Sequence, residues 1–222
     1  MKKKFLSLVL TGLTSITLLG GCGAVNTNRT AMTKDVFATR AHAIGLDVMN
    51  YSEMTKLAGQ KSSSALSEAN PVMSKKTAKK SADGLTEFYA AGHFDEQLNA
   101  SDTDTVDKDT AVFMKFDDPN IVKGIKKDME KSKDVKKEGN YYKYNDDLTE
   151  LLLDVNKDTV VVIECDDASS LQTFRDGFLK DVSNKEINDS KGQADKLWKG
   201  SKTYQALSTL AALEDQASDT EN

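Results

Sequence analysis

The residues able to do chemistry in this chain are few and unevenly placed. Cys22 and Cys165 are its two cysteines, and His42 and His93 its two histidines. A dithiol exchange centre or a histidine-rich metal site therefore has little to draw on. Aspartates are more plentiful: Asp117-Asp118 and Asp166-Asp167 recur in matching context, and Asp102, Asp104, Asp107 and Asp109 crowd one acidic run. Closely spaced carboxylates suit calcium, a hard cation that prefers oxygen ligands. An EF-hand loop starting at Asp102 needs Gly at its sixth place and Glu at its twelfth, where Asp107 and Phe113 stand. The run reads as a solvated acidic loop. The Asp pairs each follow an apolar stretch and precede an amphipathic one, and Asp118 is followed by Pro119. That order is a helix start, with the carboxylate accepting orphan backbone donors. No H-E-x-x-H, Walker glycine loop, G-x-G-x-x-G or G-x-S-x-G is present. No catalytic residue, metal ligand or cofactor is assigned on this reading.

A different chemistry attaches to Cys22. Lys2, Lys3 and Lys4 make a positive start, Phe5 to Leu19 an apolar stretch softened by Ser, Thr and Gly, and Leu19-Gly20-Gly21 leads into the cysteine. The apolar stretch is too short and mixed for a good membrane span, which needs about 20 apolar residues. The layout is that of a secretory signal, and Leu19-Gly20-Gly21-Cys22 resembles the lipobox of bacterial lipoproteins. The resemblance covers residues 1–22 alone. It implies a diacylglyceryl group on the Cys22 sulfur, cleavage between Gly21 and Cys22, and display on the extracytoplasmic face of the cell membrane. Two acyl chains anchor stably where one does not. Removing Lys2, Lys3 and Lys4 would take the side-chain charge from −5 to −8. An acidic exported domain is a poor nucleic-acid binder, since phosphate contacts need clustered cations. With Cys22 acylated, Cys165 is the remaining thiol and no intramolecular disulfide can form.

The elements that must carry these residues follow from periodicity. Residues 22–32 read as lipidated cysteine and tether, 33–213 as one domain, and 214–222 as an acidic, frayed tail. Phe37, Ala41, Ile44, Val48, Tyr51, Met54 and Leu57 recur at helical steps and predict a helix over 34–58. Further on the chain repeats itself. Residues 107–118 (DKDTAVFMKFDD) resemble 156–167 (NKDTVVVIECDD) at an offset of 49, and Val122, Ile125 and Met129 then fall on Leu171, Phe174 and Phe178. A weaker echo aligns Asp83-Gly-Leu-Thr-Glu-Phe with Asp146-Asp-Leu-Thr-Glu-Leu. Each copy, about 75–137 and 139–183, is expected to hold three strands and a helix. The second copy has strands near 141–144, 149–155 and 159–165 and a helix near 168–183. The first has strands near 75–81, 85–91 and 110–116 and a helix near 119–137, although Ala78, Ala82, Leu85 and Tyr89 also fit a helical stripe. Ala194, Leu197, Trp198, Ser201, Tyr204, Leu207 and Ala211 mark a last amphipathic helix. The expected fold is α+β: an antiparallel sheet from two related β-β-β-α halves, with flanking N- and C-terminal helices.

Tyr141, Tyr142 and Tyr144 lie on one strand, and alternation places Tyr142 and Tyr144 together. Tyrosine joins large area to a polar tip and is favoured at interfaces, which makes Tyr142 and Tyr144 candidate binding residues. Cross-strand packing is the stronger account of them. Lys75, Lys76, Lys79 and Lys80 form one basic patch and Lys123 to Lys137 another, the second interleaved with acids at pairing distance on a helix. The first could touch anionic head groups or wall polymers, and a solvated face explains it too. Together these features describe a lipid-anchored binding module whose partner is an envelope protein, a wall polymer or an extracellular molecule. The alternatives are an enzyme whose carboxylates converge in space, or a small solute-binding lipoprotein.

Overall fold

A computed structural model of the chain describes residues 32–57, 75–100, 109–138, 141–144, 149–153, 158–165, 167–178 and 180–219. Cys22 with its signal and tether, Asp102, Asp104, Asp107 and Asp166 lie outside them. The strands are β1 (Asp47–Asn50), β2 (Leu85–Gly92), β3 (Thr110–Phe116), β4 (Val135–Glu138), β5 (Tyr141–Tyr144), β6 (Thr149–Leu153) and β7 (Thr159–Glu164). They form one sheet in the order β1-β2-β3-β7-β6-β5-β4, every neighbouring pair antiparallel. Helices pack on both faces, so the α+β class expected from the sequence is the one observed.

At the centre, β3 and β7 are rich in β-branched and aromatic residues, which fit a pleated surface buried on two sides. Val48, Tyr89, Ala91, Ala111, Phe113, Val161 and Ile163 point to the first face. That face is closed by α1 (Lys34–Ala43), α6 (Ala168–Phe178) and α7 (Asn184–Asp189), through Phe37, Leu171, Phe174, Phe178 and Ile187. Met49, Phe88, Ala90, Met114, Phe116 and Val160 point to the second face. There α2 (Tyr51–Leu57), α3 (Lys75–Asp83), α5 (Pro119–Met129) and α9 (Lys202–Asp219) cover them, with Met54, Ile121, Ile125, Met129 and Leu207 packed in the same core. A short α4 (Phe94–Asn99) follows β2. The last element, α8 (Gln193–Gly200), lies along the β1 edge. Its Ala194 packs in the first core and its Trp198, fully buried, in the second. The β1 edge is thereby covered, whereas the opposite edge strand, β4, carries Lys136 and Lys137, charges that discourage further strand pairing.

Five expectations are corrected. The long helix over 34–58 is α1, β1 and α2 in succession. Gly45 takes φ +89 after α1, a conformation open to glycine, and the chain turns into an edge strand whose apolar residues kept the helical rhythm by coincidence. The strand expected at 75–81 is the helix α3, with Thr77 and Ser81 buried one turn apart and Lys76, Lys79 and Lys80 exposed. β1 takes that strand's place, so the halves are β1-β2-β3-α5 and β5-β6-β7-α6, the first interrupted by α2, α3 and α4. The helix expected to reach Lys137 stops at Met129, and Val135–Glu138 pairs with Tyr144–Tyr141 instead. The terminal helix breaks at Ser201, whose ψ of 151 is extended, and α9 continues to Asp219 where a frayed tail was expected. Helix α6 likewise ends at Phe178, not Ser183, and α7 follows.

The repeat itself is present in the backbone. β3 begins at Thr110 and α5 spans Pro119–Met129; β7 begins at Thr159 and α6 spans Ala168–Phe178, each bound shifted by the same 49 residues. The two helices nevertheless lie on opposite faces. Val112 sits across from Val162 and Phe113 from Val161, and directly opposed residues share a face. The repeat counterpart of Val112, however, is Val161, its neighbour's partner. An odd displacement on a period-two strand reverses the face, and the helix that follows goes with it.

Candidate functional site

The polar residues with the richest surroundings were not those singled out by motif. Near the β1 edge, Tyr89 of β2 is buried and its hydroxyl donates to Asp195 Oδ1 at 2.7 Å. It accepts from Lys34 Nζ at 3.2 Å and Asn50 Nδ2 at 3.2 Å, and Lys34 also reaches Asp195 Oδ2 at 3.1 Å. Strand alternation delivers Tyr89, the start of α1 delivers Lys34, and the first turn of α8 delivers Asp195. Burial opposes the charge on Lys34, but its bonds to Tyr89 and Asp195 outweigh that and hold its pKa above the usual lysine range. Burial and the Asp195 carboxylate push the Tyr89 phenol up, and the phenol's bond in turn holds Asp195 below its ordinary value. A phenol has one proton to give and two lone pairs. All three are used, so this hydroxyl is a joint between three elements and has no lone pair left for a substrate.

Arg40 is engaged to the same degree. From the buried face of α1 its Nε and Nη2 grip the Glu186 carboxylate at 2.7 and 3.0 Å. Its other donors reach the carbonyls of Phe178, Lys180 and Asp181 at 3.2, 2.8 and 3.1 Å. Those five bonds match the five N–H groups of a guanidinium. They close the turn from α6 to α7, and Arg40 holds the Glu186 carboxyl below its ordinary value. Trp198 donates from Nε1 to Glu53 at 2.9 Å, and the Glu53 amide donates to Asn50 Oδ1 at 3.1 Å. Lone arginine and lone tryptophan on apolar stripes were the available signals; their partners, more than 130 residues away, carry no periodicity.

The motif residues divide. Tyr141 and Tyr142 do lie on opposite faces, Tyr141 in the first core and Tyr142 in the second. Tyr142 is 2% exposed and its hydroxyl donates to Glu130 Oε1 at 2.7 Å, with Lys137 Nζ 5.8 Å from its ring centroid. Burial and then Glu130 push its pKa up. Tyr141 mirrors it, donating to Glu138 Oε2 at 2.9 Å and accepting from Arg175 at 2.6 Å. Tyr142 thus packs in the core; the backbone of Tyr144 pairs with Val135, and its side chain lies outside the described residues. Asp118 caps α5, accepting from Asn120 N at 2.8 Å, and Asp167 caps α6, accepting from Ser169 N and Ser170 N at 2.7 and 2.9 Å. The Ser170 amide, the Ser170 hydroxyl and the Ser169 amide lower the Asp167 pKa. The second aspartate of each pair, Asp118 and Asp167, does the capping work that the spacing predicted.

Carboxylates also meet at the β1 edge. Asp95 accepts from the Thr203 amide and hydroxyl, both at 2.9 Å, and from the Lys202 amide at 3.1 Å, capping α9 from a distant turn. Its own amide donates to Asp47 Oδ2 at 2.8 Å, and burial raises the Asp47 pKa. Asp95 therefore converges with Asp47 in a helix-capping role. Asp109 is buried, His42 is exposed, and His93 Nδ1 lies 3.9 Å from Glu96. Cys165 is buried in the first core. Among the described residues no three His, Cys, Asp or Glu side chains are grouped to hold a metal ion, and no helix is long and apolar enough to cross a membrane.

One outward-facing patch, on α3 and α5, is basic. Thr77 of α3 donates to Asp128 of α5 at 2.5 Å, and a Cβ on Gly124 would lie 3.6 Å from Thr77. At the other end of α3, Gly84 has no room for a side chain, since Ile121 Cδ1 would sit 2.3 Å from its Cβ. These contacts lay α3 beside α5 and bring the two lysine patches of the sequence onto one side of the sheet. No protein-family model matches the chain, and neither a curated protein nor a solved structure does.

Proposed function

We propose that this chain is a lipid-anchored binding module of the bacterial envelope, held by Cys22 on the extracytoplasmic face of the membrane and acting through its surface rather than through catalysis. The observation that carries the reading is Leu19-Gly20-Gly21-Cys22 behind a basic and then apolar start. The interior is consistent with it: Tyr89, Arg40 and Asp95 spend their donors and acceptors on joining elements. Function then belongs to the exposed surface, toward a wall polymer, another envelope protein or an extracellular molecule.

The test is metabolic labelling with palmitate in cells expressing the chain and its Cys22→Ser variant, followed by membrane fractionation. Label and membrane retention that both depend on Cys22 support the anchor. Equal labelling and equal retention of the variant refute it. Crosslinking on intact cells then reports what the displayed domain touches.

A further inference from the structure

We infer that the side of the sheet bearing α3 and α5 is a docking platform for a linear polyanion linked by phosphodiesters, of the kind that a cell-wall polymer presents. The inference rests on the envelope location proposed above and deepens it by naming the ligand chemistry.

Charge is the first observation. The segments Lys75–Asp83 and Pro119–Met129 together contain seven lysines and two acids, in a chain whose net charge is −5. Lys76, Lys79, Lys80, Lys123 and Lys127 are exposed, and among the described residues none of these five forms an ion pair. The two acids that follow Lys127 also have hydroxyl partners. Asp128, placed for pairing with its helical neighbours, accepts from Thr77, and Glu130 accepts from Tyr142 and pairs with Lys137. Like charges side by side oppose folding, and a concentrated single-sign field attracts an opposite one.

The type of cation is the second observation. The chain has arginine at positions 29, 40 and 175 and none on the platform; Arg40 and Arg175 are bonded within the fold. Arginine is favoured where a defined phosphate or carboxylate is gripped by two bonds, while lysine acts as a mobile point charge. A row of lysines on two adjacent helices suits a polymer whose charge repeats along its length.

Orientation separates the polymer from the membrane itself. The domain begins at Met32, which packs in the first-face core, whereas the platform is on the second side. Ten residue steps from Cys22 to Met32 reach at most about 35 Å. Helix, sheet and helix together are about 30 Å thick. Turning the lysines onto the anchoring bilayer would use nearly all of that reach, whereas seating the first side there would use little of it, which favours the platform on the far side.

The probe is fluorescent poly(glycerol phosphate), added to the full-length chain in a non-ionic detergent and followed by polarisation. Binding should weaken about a hundredfold between 50 and 200 mM salt if five lysines each displace counterions as on a flexible single-stranded polyanion. Replacing Lys76, Lys79, Lys80, Lys123 and Lys127 by Gln should weaken it at least tenfold and flatten the salt dependence. Replacing the exposed Lys180, Lys185, Lys191, Lys196 and Lys199 by Gln makes the same charge change elsewhere and should leave binding within twofold. Equal losses in the two variants, or absence of polymer binding, overturn the platform. So does lysine-dependent binding of duplex DNA or phosphatidylglycerol vesicles that equals or exceeds that of the polymer. Palmitate on Cys22 without polymer binding overturns the platform and keeps the anchor; polymer binding without palmitate does the reverse.

Discussion

The units β3–α5 and β7–α6 start from the same local sequence and end on different sides of the molecule. Inward, they remain alike: Val122, Ile125 and Met129 are buried in one, and Leu171, Phe174 and Phe178 in the other. Both helices open on an aspartate cap. Outward, they have parted. Helix α5 presents Lys123 and Lys127, while α6 presents Gln172, Thr173 and Asp176 and turns Arg175 onto Tyr141. Strand, cap and buried stripe are what the sheet requires of either copy. The solvent face is under no such requirement, and there the two sides acquired different characters, one knitted by internal polar bonds and one left positively charged.

The largest expected effect tests whether the sides are separable. Trp198→Ala removes a fully buried side chain at the edge where both cores meet, which should cost about 3–5 kcal/mol. Denaturation followed by circular dichroism gives the loss, and hydrogen exchange should show α5 and α6 losing protection together. Retained protection in α6 alone would make the faces independent.

Arg40→Met comes next, acting on the first side. It leaves Glu186 without its partner and three carbonyls without donors, for a loss of about 3 kcal/mol. Because Arg40 holds the Glu186 pKa down, the unfolded chain binds the proton more readily. The pair's contribution is complete above the unfolded value of about 4.3 and is lost as pH falls through the lower folded value. Acid titration of the denaturation midpoint should therefore fall more steeply in the parent chain than in Arg40→Met.

Tyr89→Phe should cost about 1–2 kcal/mol, since three hydrogen bonds go while the ring stays packed and Lys34 and Asp195 keep each other. A change below about 0.5 kcal/mol would mean that solvent replaces the phenol without penalty. The smallest effects test the likeness of the repeats directly. Asp118→Ala and Asp167→Ala should each cost about 1 kcal/mol, and sum in the double variant, because the caps lie in different packing layers. Unequal costs would show that the two starts only look alike.

Much of this was legible in residue order. The 49-residue echo located β3, β7, α5 and α6, and β-branched composition made β7 a strand buried on both faces, as Val160 to Ile163 confirm. The aspartate caps were readable because Pro119 marks one helix start and the matching context carries the same role to Asp167. Three other elements were hidden where one pattern served two geometries. Val48, Tyr51 and Met54 keep helical steps across a strand–helix junction, and only Gly45 signals the turn. Lys75–Asp83 is short and polar enough to read either way, and the lysines of β4 prolong the charge pattern of α5. The polar joints were beyond the reach of local reading, because Tyr89 with Asp195 and Arg40 with Glu186 are brought together by packing of remote elements.

The register of the central pair bears on ancestry. Many internal repeats are readily pictured as a symmetric dimer whose two chains became joined. An isologous two-fold contact places the same residue of each partner on the same side of the shared sheet. Here Val112 faces one way and its counterpart Val161 the other. Two identical chains cannot meet symmetrically in this register; they would need a slip of one residue, which exchanges every buried side chain. The contact between β3 and β7 is therefore native to a single chain with two unequal copies. Swapping one copy for the other would invert a face of the sheet instead of restoring it.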